Sequence, residues 1–488
     1  MYKLQNCEPF IVFKHFEDIC RIPHGSGNEK ALSDHILKIS QDKGLYARQD
    51  ELYNLIVKIP AAKGFEGAGA VIIQAHLDMV CEKNKSSSHD FENDPIDVYA
   101  DGDWVKANGT TLGADNGIGV AYCIALIEMA GTEGFEHPPI EIVLTTLEEV
   151  GLEGATALCT KDLDAKMLIN LDTEEEGFLR MGCAGGSKPT LNISVERTAP
   201  PAGYVPFLLD IKGLKGGHSG MEIDKMRANA NRLMGRILNE LIEINEVYLA
   251  EISGGLKDNA ITREAEATIY IPSNKIEECV KKVTSYSTIL KKEYKKTDAG
   301  LTVTFEKIEY TGNAMKPSSI KQVASALMLL PYGPLEMNPY FEGIVETSNN
   351  IGVVTTRDEM VSITCAVRSN VGSRKEFVKA QINIVAQLVG ATVDHRGDYP
   401  AWEYQPESRI RDVFAQVYRD MFKKEPSGGI MHAGIECGLF AEKIPGIDMV
   451  SYGPDMYDVH TPDEKVSIGS TKRCWEYLLG VLRVLAKN

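Results

Sequence analysis

The sequence lacks the features that mark secreted and membrane-bound proteins. Its ten cysteines are scattered without a Cys-x-x-Cys pair, which predicts free thiols in a reducing compartment and no disulfide framework. No apolar run approaches the roughly 18 residues that a membrane span needs. The first ten residues, MYKLQNCEPF, do not combine a basic segment with a following apolar one, so no secretory signal is predicted. We therefore expect a cytoplasmic protein without a membrane partner.

Positive charge is also scarce. The 52 lysines and arginines are outnumbered by 69 aspartates and glutamates, which gives a formal net charge of -17. Phosphate backbones and anionic membranes repel a chain with this balance, so neither is predicted as a partner. Hydrophobic residues at 43% and charged residues at 25% are typical of a globular protein. A length of 488 residues exceeds one ordinary core and predicts at least two domains.

The first third of the chain alternates between strand and helix patterns. The segments 70–78, 139–149 and 166–172 are short apolar runs, and each ends in aspartate or glutamate. Between the first two, apolar residues recur at helical spacing over 114–130. This alternation predicts an α/β domain with a mixed, largely parallel sheet. Ligands in such sheets bind at the carboxyl ends of the strands, which is where the acidic residues stand.

The middle of the chain differs from both ends. Strand patterns with intervening helical patterns follow the glycine-rich segment 181–190. After the turn residues of 397–406, helix and strand patterns alternate again as in the first part of the chain. The preferred layout is a catalytic domain that is split around an inserted α+β lid domain. The predicted limits are 1–186 and 398–488 for the catalytic domain, and 187–397 for the lid. Periodicity alone also allows a separate C-terminal domain.

Residues with metal-binding chemistry cluster in five short segments at predicted strand ends and loops. Imidazole and carboxylate groups suit zinc or a similar divalent ion. Two histidines with several carboxylates suit a pair of ions about 3.5–4 Å apart, which one carboxylate can bridge. The residues concerned are His76, Asp78, Asp115, Glu148, Glu149, Asp172 and His460.

Taken singly, none of these residues is specific. A histidine at a strand end is more often a hydrogen-bonded core residue, and an aspartate before Asn-Gly is usually a helix cap or a turn residue. Two adjacent glutamates such as Glu148 and Glu149 usually mark the exposed start of a helix. Their joint occurrence, in order and at strand ends, is what favours a metal centre.

Longer stretches of the sequence resemble a known family over nearly the whole chain. The stretches that resemble the M20 metallopeptidases, of the co-catalytic zinc clan, are AHLDMV, GADNGIG, LEEVGLEGA, NLDTEE and DVHTPDE. The stretches that resemble the aminoacyl-histidine (Xaa-His) dipeptidase branch of that family are FKHFEDICRIPHGSGNE, GGLKDNAITREA and HAGIECGLF. The resemblance implies a zinc-peptidase-like catalytic domain with an inserted lid.

The resemblance also implies a set of ligands for two zinc ions. His76 and Asp172 would hold one ion. Glu149 and His460 would hold the other, and Asp115 would bridge the pair. Cobalt or manganese could replace zinc, because such oxygen-rich sites accept several divalent metals.

Two further carboxylates would act beside the ions. Asp78 follows His76 by two residues, hence on the same face of a strand, and would orient its imidazole. Glu148 would be the general base that takes a proton from the attacking water and passes it to the leaving amine. Because adjacent strand residues face opposite sides, the chain must bend for Glu148 and Glu149 to face one site. Gly151 is predicted to help with that bend.

Substrate-binding residues are implied outside the cluster. His218, which lies between glycines, would donate to the oxyanion from the lid, although the pattern alone equally favours a tight turn with an incidental histidine. Asn259 and Arg368 would bind the carboxylate of the peptide; arginine suits this task by its paired donors, but on sequence alone a surface ion pair is slightly favoured. Gly434 and Glu436 would meet the substrate, and Glu436 would pair with its α-amine.

The implied function is hydrolysis of unblocked dipeptides by a dizinc enzyme, with Xaa-His peptides such as β-Ala-His among the substrates. Two alternatives stay open: an M20-type amidohydrolase that deacylates N-acyl amino acids, and an inactive M20-like binding or scaffold protein. The complete ligand set and Glu148 argue against the inactive protein. Relatives imply a homodimer, for which the sequence itself gives no sign. The expected partners are small dipeptides and a second copy of the chain.

Overall fold

The computed structural model describes residues 2–487, and the chain forms two compact units. The first unit comprises Met1–Gly182, Tyr404–Ile430 and Ile435–Asn488. The second unit comprises Cys183–Glu403 and Met431–Gly434. The limits predicted from the sequence, 1–186 and 398–488 for a catalytic domain and 187–397 for a lid, stay a prediction.

Helices and strands alternate in both units. The elements of the N-terminal part are α1 (Phe10–Cys20), α2 (Lys30–Asp42), β1 (Tyr46–Gln49), β2 (Leu55–Ile59), β3 (Val71–His76), β4 (Val98–Asp101), β5 (Trp104–Ala107), α3 (Ala114–Met129), β6 (Ile140–Thr145), α4 (Glu153–Ala157), β7 (Met167–Asn170) and β8 (Phe178–Cys183). Those of the second unit are β9 (Gly185–Ser194), β10 (Arg197–Thr198), β11 (Tyr204–Lys212), α5 (Ala230–Ile244), β12 (Tyr248–Gly254), β13 (Ala265–Pro272), α6 (Ile276–Glu293), β14 (Thr302–Lys307), β15 (Ala314–Met315), α7 (Pro317–Leu329), β16 (Gly333–Met337), β17 (Val345–Arg357), β18 (Met360–Ser369), α8 (Gly372–Val389) and β19 (Thr392–Tyr399). Those of the C-terminal part are α9 (Arg409–Phe422), β20 (Ser427–Met431), α10 (Cys437–Lys443), β21 (Asp448–Ser451), β22 (Met456–Tyr457), β23 (Lys465–Ser467) and α11 (Ile468–Ala486).

A mixed sheet of eight strands forms the centre of the first unit, in the order β1-β2-β6-β3-β7-β21-β8-β20. The central strands β6, β3, β7 and β21 run parallel, while β1, β2 and β8 pair antiparallel. Every residue of β3 and β6 is buried, which explains why both segments read as continuous apolar runs. The predicted α/β fold is confirmed, and its parallel part is confined to the middle of the sheet.

Helix α3 covers this sheet next to the strand ends. It packs against β3, α1 and α2, and it is buried on all sides as far as Ile127. A helix enclosed in this way is apolar all round, which accounts for the run of Ile, Val, Ala and Leu in its sequence. The helix predicted over 114–130 is therefore observed, and it begins at the segment that carries Asp115.

A second, smaller sheet of the first unit holds the C-terminal histidine. Its four strands pair antiparallel in the order β22-β23-β5-β4. The connection between β22 and β23 is a loop, 458–464, that carries His460. Asp458 and His460 both have left-handed backbone angles, with φ of 57° and 61°, so the loop turns sharply at the histidine.

The second unit is built on an antiparallel sheet of eleven strands. Helices α5, α6, α7 and α8 pack with this sheet around a separate apolar core. Helix α5 begins at Ala230 because the side chain of Asn229 caps it by accepting from the backbone N–H of Arg232 at 3.1 Å. Across residues 2–487 no helix combines the length and the apolar character that a bilayer crossing requires.

Candidate active site

The carboxylate of Asp115 lies between two histidines. Its Oδ1 is 3.1 Å from Nε2 of His76, and its Oδ2 is 3.2 Å from Nε2 of His460. The two oxygens of one carboxylate thus face two different imidazoles. A carboxylate that bridges two metal ions needs this arrangement, because each oxygen must serve a different ion.

A second carboxylate stands beside each histidine. Asp172 Oδ1 is 3.3 Å from Nε2 of His76, and Glu149 Oε1 is 3.0 Å from Nε2 of His460. His76, Asp115 and Glu149 offer ligand atoms that all lie within 4.8 Å of one another. Imidazole nitrogen and carboxylate oxygen are the ligands that zinc takes outside cysteine sites. The residues present therefore fit a pair of divalent ions.

These carboxylates are withdrawn from water although they lie together. The side chains of Asp115 and Asp172 are 11% exposed, and that of Glu149 is 8% exposed. Burial raises the pKa of Asp172 to about 6. Burial also opposes ionisation of Asp115, but hydrogen bonds to His460 and His76 outweigh it and hold the pKa of this carboxyl well below its usual range. Several buried acids in one place need positive charge beside them, which divalent cations would provide.

A turn directly after β6 aims the two adjacent glutamates. Leu147 has a φ of 55°, a left-handed angle that is uncommon for a residue with a side chain, and Gly151 has a φ of 141°. The backbone N–H of Leu147 donates to Oε1 of Glu29 at 3.0 Å, which holds the turn in place. The bend required for Glu148 and Glu149 therefore begins at Leu147, and Gly151 adds a second positive φ four residues later.

Asp78 organises the same turn. Its carboxylate accepts from the backbone N–H groups of Glu148 at 2.9 Å and Glu149 at 3.1 Å, and from the hydroxyl of Ser26 at 2.8 Å. Nδ1 of His76 is 3.0 Å from the backbone carbonyl of Asp78 and 3.5 Å from its carboxylate. Asp78 thus orients the imidazole mainly through its main chain, and its side chain fixes the two glutamates.

The carboxyl of Glu148 lies in the same acidic surroundings. Burial raises its pKa well above the usual range; His76 counteracts this rise, whereas Asp172 and Glu436 add to it. A carboxyl with a raised pKa is a better proton acceptor than an exposed one once it is ionised. The role of Glu148 as a general base stays a prediction, made for a carboxyl that is buried beside His76 and Asp172.

Two residues that sequence analysis missed contact the predicted ligands or the segment that carries them. Glu464 accepts from four consecutive backbone N–H groups, those of Leu112 at 2.7 Å, Gly113 at 3.1 Å, Ala114 at 2.8 Å and Asp115 at 3.4 Å. Asn116 donates to Oδ1 of Asp172 at 2.6 Å. The available signal for Glu464 was its position four residues after His460, whereas nothing in the sequence marked Asn116 as a partner of Asp172.

Replacement of Glu464 by glutamine is expected to weaken metal binding about 10- to 100-fold. An amide has a single acceptor oxygen, so it cannot hold all the N–H groups from Leu112 to Asp115, and Asp115 would lose its orientation. Competition titration with a zinc chelator measures the affinity. The control is Glu476→Gln, an exposed glutamate on α11. Equal affinity of the Glu464→Gln variant and the wild type would contradict this role.

Glu436 ends a buried polar chain that crosses the sheet. Its Oε2 accepts from Nε2 of Gln74 at 2.5 Å and from the hydroxyl of Thr145 at 2.7 Å, and Gln74 in turn accepts from Asn170 at 2.5 Å. The other oxygen, Oε1, is buried without a hydrogen-bond partner. Burial raises the pKa of Glu436 to about 8. One acceptor of this carboxyl is therefore available to a further donor.

His218 belongs to the second unit and has a defined protonation. Its Nδ1 accepts from the backbone N–H groups of Gly220 at 3.2 Å and Met221 at 3.0 Å. Burial, and then the charge of Arg368, lower its pKa. The imidazole is therefore neutral with its proton on Nε2, which makes that atom a hydrogen-bond donor.

Arg368 is paired with a residue that sequence analysis did not select. Nη1 of Arg368 donates to the hydroxyl of Tyr399 at 3.2 Å, while its Nε is buried without a hydrogen-bond partner. Tyr399 also packs against Gly434, where any Cβ would collide with its ring. Gly434 is therefore required to be glycine by the packing of Tyr399. The guanidinium of Arg368 keeps donor capacity for an anion.

Asn259 lies at the surface of the second unit. Its backbone carbonyl accepts from the N–H of Ser219 at 2.8 Å, which ties it to the segment that follows His218. Both residues line a cavity of about 900 Å³ in this unit. The structure thus groups His218, predicted as an oxyanion donor, and Asn259, predicted as a substrate-binding residue, around one opening.

Comparisons with known proteins all indicate peptidases. The family model described as Peptidase family M20/M25/M40 matches residues 72–484. The chain is 40% identical to the cytosol non-specific dipeptidase of Escherichia coli (strain K12) over 483 residues, which is 99% of each chain. The structure resembles the aminoacylhistidine dipeptidase of Vibrio alginolyticus with a TM-score of 0.91 at 38% identity, over 99% of this chain and 98% of the other. It also resembles aminopeptidase PepT of Bacillus cereus with a TM-score of 0.58 at 16% identity, over 98% and 99% of the two chains, a likeness of fold alone.

Proposed function

The chain belongs to peptidase family M20/M25/M40, and from that premise we propose that it hydrolyses unblocked dipeptides with the help of two zinc ions. The observation that carries the proposal is Asp115, whose two oxygens face His76 at 3.1 Å and His460 at 3.2 Å. The relatives named as a cytosol non-specific dipeptidase and an aminoacylhistidine dipeptidase support the substrate class. Xaa-His peptides such as β-Ala-His are proposed to be among the substrates.

The proposed ligands divide between the two ions. His76 and Asp172 would hold one ion, Glu149 and His460 the other, and Asp115 both. The spacing of these groups, 3.0–3.3 Å between each histidine and its carboxylates, supports the assignment. When bound, the ions would polarise the scissile carbonyl and lower the pKa of a water toward about 7. Cobalt or manganese would serve in place of zinc with the same donors.

Glu148 is proposed to move the proton. It would accept a proton from the attacking water and return it to the nitrogen of the leaving amine. Support comes from its buried position next to His76 and Asp172, and from Asp78, which holds its backbone N–H at 2.9 Å. Because Glu149 is occupied as a ligand in this assignment, the two adjacent acids have separate tasks.

His218 is proposed to donate to the oxyanion of the tetrahedral intermediate. A donor for this task must carry a proton and must not itself be a base under working conditions. The backbone N–H groups of Gly220 and Met221 support this, because both donate to Nδ1 of His218. Nδ1 is therefore the acceptor, and the ring proton is on Nε2. The lowered pKa of His218 keeps the ring neutral, so it donates a hydrogen bond without giving up its proton.

Three residues are proposed to recognise the two charged ends of a free peptide. Glu436 would bind the α-amine, with support from its unpaired buried Oε1; a cationic amine would favour the ionised form of this carboxyl. Arg368 and Asn259 would bind the α-carboxylate, with support from the unpaired Nε of Arg368. Recognition of both ends would exclude peptides whose amine is acylated.

The expected result of a substrate panel follows from this recognition. Ala-His and β-Ala-His are expected to be cleaved in the presence of zinc, cobalt or manganese. N-acetyl amino acids are expected to be cleaved at least about 100-fold more slowly, since Glu436 would be left buried without its cationic partner. Release of free histidine, measured by chromatography, gives kcat/KM for each pair of substrate and metal. Cleavage of the acetylated compounds alone would contradict the proposal and favour the deacylase alternative.

A cytoplasmic location and a homodimer complete the proposal. The Escherichia coli relative is named as a cytosol non-specific dipeptidase, which supports the location. The homodimer rests on the family resemblance of the sequence, and light scattering of the purified protein at several concentrations tests it.

A further inference from the structure

The second unit contains a small cavity that the proposed function does not use. Its volume is about 360 Å³, and its walls come from the loop before α5, from α5 itself and from the segment around the end of α7. Aromatic and apolar side chains line part of the wall, and three guanidinium groups line the rest. These residues are Tyr294, Tyr332, Met328, Arg227, Arg232 and Arg236.

Two of the three arginines are neutralised within the unit. Arg236 binds Glu293 through both of its terminal nitrogens, at 2.7 Å and 2.9 Å. Arg227 pairs with Glu222 at 3.0 Å and also donates to the carbonyl of Gly216. Neither guanidinium therefore needs another anion.

Arg232 stands between them without a carboxylate. No acidic group within residues 2–487 comes into ion-pair distance of its guanidinium, which lies over the ring of Tyr332 at 5.2 Å from the centroid. The hydroxyl of Tyr332 donates to the carbonyl of Arg227 at 3.2 Å and so fixes this ring. The plane of the Arg232 side chain is thereby held by cation–π contact in the cavity wall.

The position of Arg232 is also unfavourable for its helix. It lies in the first turn of α5, where the unpaired backbone N–H groups carry partial positive charge. A cation at that end is repelled by the helix dipole, and no carboxylate of the described residues beside it offsets this repulsion as Glu222 and Glu293 do for Arg227 and Arg236. Helix stability therefore gives no account of this arginine, whereas a bound anion would relieve the repulsion.

We propose that this cavity binds a small monocarboxylate with an apolar or aromatic body. Arg232 supplies the one uncompensated charge and two parallel donors for the carboxylate. Tyr294, Tyr332 and Met328 supply apolar surface for the rest of the molecule. A volume of about 360 Å³ suits a ligand of this size. None of the residues that line the cavity is assigned to hydrolysis, and the proposal does not depend on that assignment. Arg227 in the wall shares the carboxylate of Glu222 with the backbone N–H of His218.

The test uses 3-phenylpropanoate as the probe and calorimetric titration of the metal-loaded protein. The wild type is expected to bind the probe. It is expected to bind the neutral 3-phenylpropanamide at least about tenfold more weakly, because the charge-assisted hydrogen bond is lost. The variant Arg232→Gln is expected to lose a similar factor for the probe and nothing for the amide. The matched control is Arg357→Gln, an exposed arginine at the end of β17 in the same unit.

Three outcomes would overturn the proposal. Equal affinity for the acid and the amide would remove the role of the charge without any variant. Undiminished binding by Arg232→Gln, with loss in Arg368→Gln, would place the probe at the residues assigned to the substrate. Binding of inorganic phosphate as tight as that of the probe would show that the apolar walls contribute nothing.

Discussion

Replacement of Glu148 by glutamine is expected to lower kcat about 100- to 10,000-fold while the metal content stays unchanged. Glutamine keeps the size and the backbone contacts of the residue, including the hydrogen bond from its N–H to Asp78 at 2.9 Å. It cannot accept a proton, so only the proton transfer is lost. Steady-state kinetics with Ala-His and elemental analysis of the purified variant measure the two quantities.

The neighbouring residue provides the sharpest comparison. Glu149→Gln is expected to lose metal as well as activity, because Glu149 and His460 are assigned as ligands of the same ion. Oε1 of Glu149 lies 3.0 Å from Nε2 of His460. Glu153→Gln, an exposed carboxylate five residues after Glu148, is expected to change neither. If Glu148→Gln also lost its metal, or if it retained full turnover, the separate tasks of the two glutamates would be refuted.

Replacement of Asp115 by asparagine is expected to have an equally large effect by a different route. Asparagine offers one acceptor oxygen where aspartate offers two. It can therefore bind only one of the two ions, the one beside His76 or the one beside His460. We expect metal content below one ion per chain and a loss of kcat/KM of more than about 100-fold, since loss of an outer partner alone costs up to that factor.

Elemental analysis and kinetics at saturating zinc check this second prediction. The control is Asp101→Asn, an exposed aspartate of β4 that pairs with Lys106 at 2.7 Å. A variant that kept two ions and lost only turnover would show that Asp115 does not bridge. The comparison with Glu148→Gln is then informative, because one variant removes chemistry with the metals in place and the other removes the metals.

The order and type of the polar residues could be predicted from the sequence because they stand at the ends of apolar runs. Segments 70–78, 139–149 and 166–172 each contain one parallel strand, β3, β6 and β7, and each ends in acidic residues. Parallel strands deliver their carboxyl ends to one edge of a sheet, so residues far apart in the chain meet there. The fold class and the composition of the cluster follow from that rule.

The supporting contacts could not be predicted in the same way. Glu464 reaches the N–H of Ala114 across 350 positions of sequence, and Asn116 reaches Asp172 across 56. Glu464 lies on a loop of the small sheet and Asn116 on α3, and neither position follows from local periodicity. Hydrogen bonds between distant segments depend on how loops pack, and a single sequence does not encode that packing in any local pattern.

The sequence by itself determined that two adjacent glutamates follow a buried strand in a setting of histidines and acids, and thus that positive charge was needed there. Only the tertiary structure decided how both could face one place. Leu147 turns the chain with a left-handed φ of 55°, and Asp78, from a neighbouring strand end, binds the N–H of each glutamate. Such a conformation is unfavourable for an isolated leucine, so it exists only because contacts from elsewhere in the chain stabilise it.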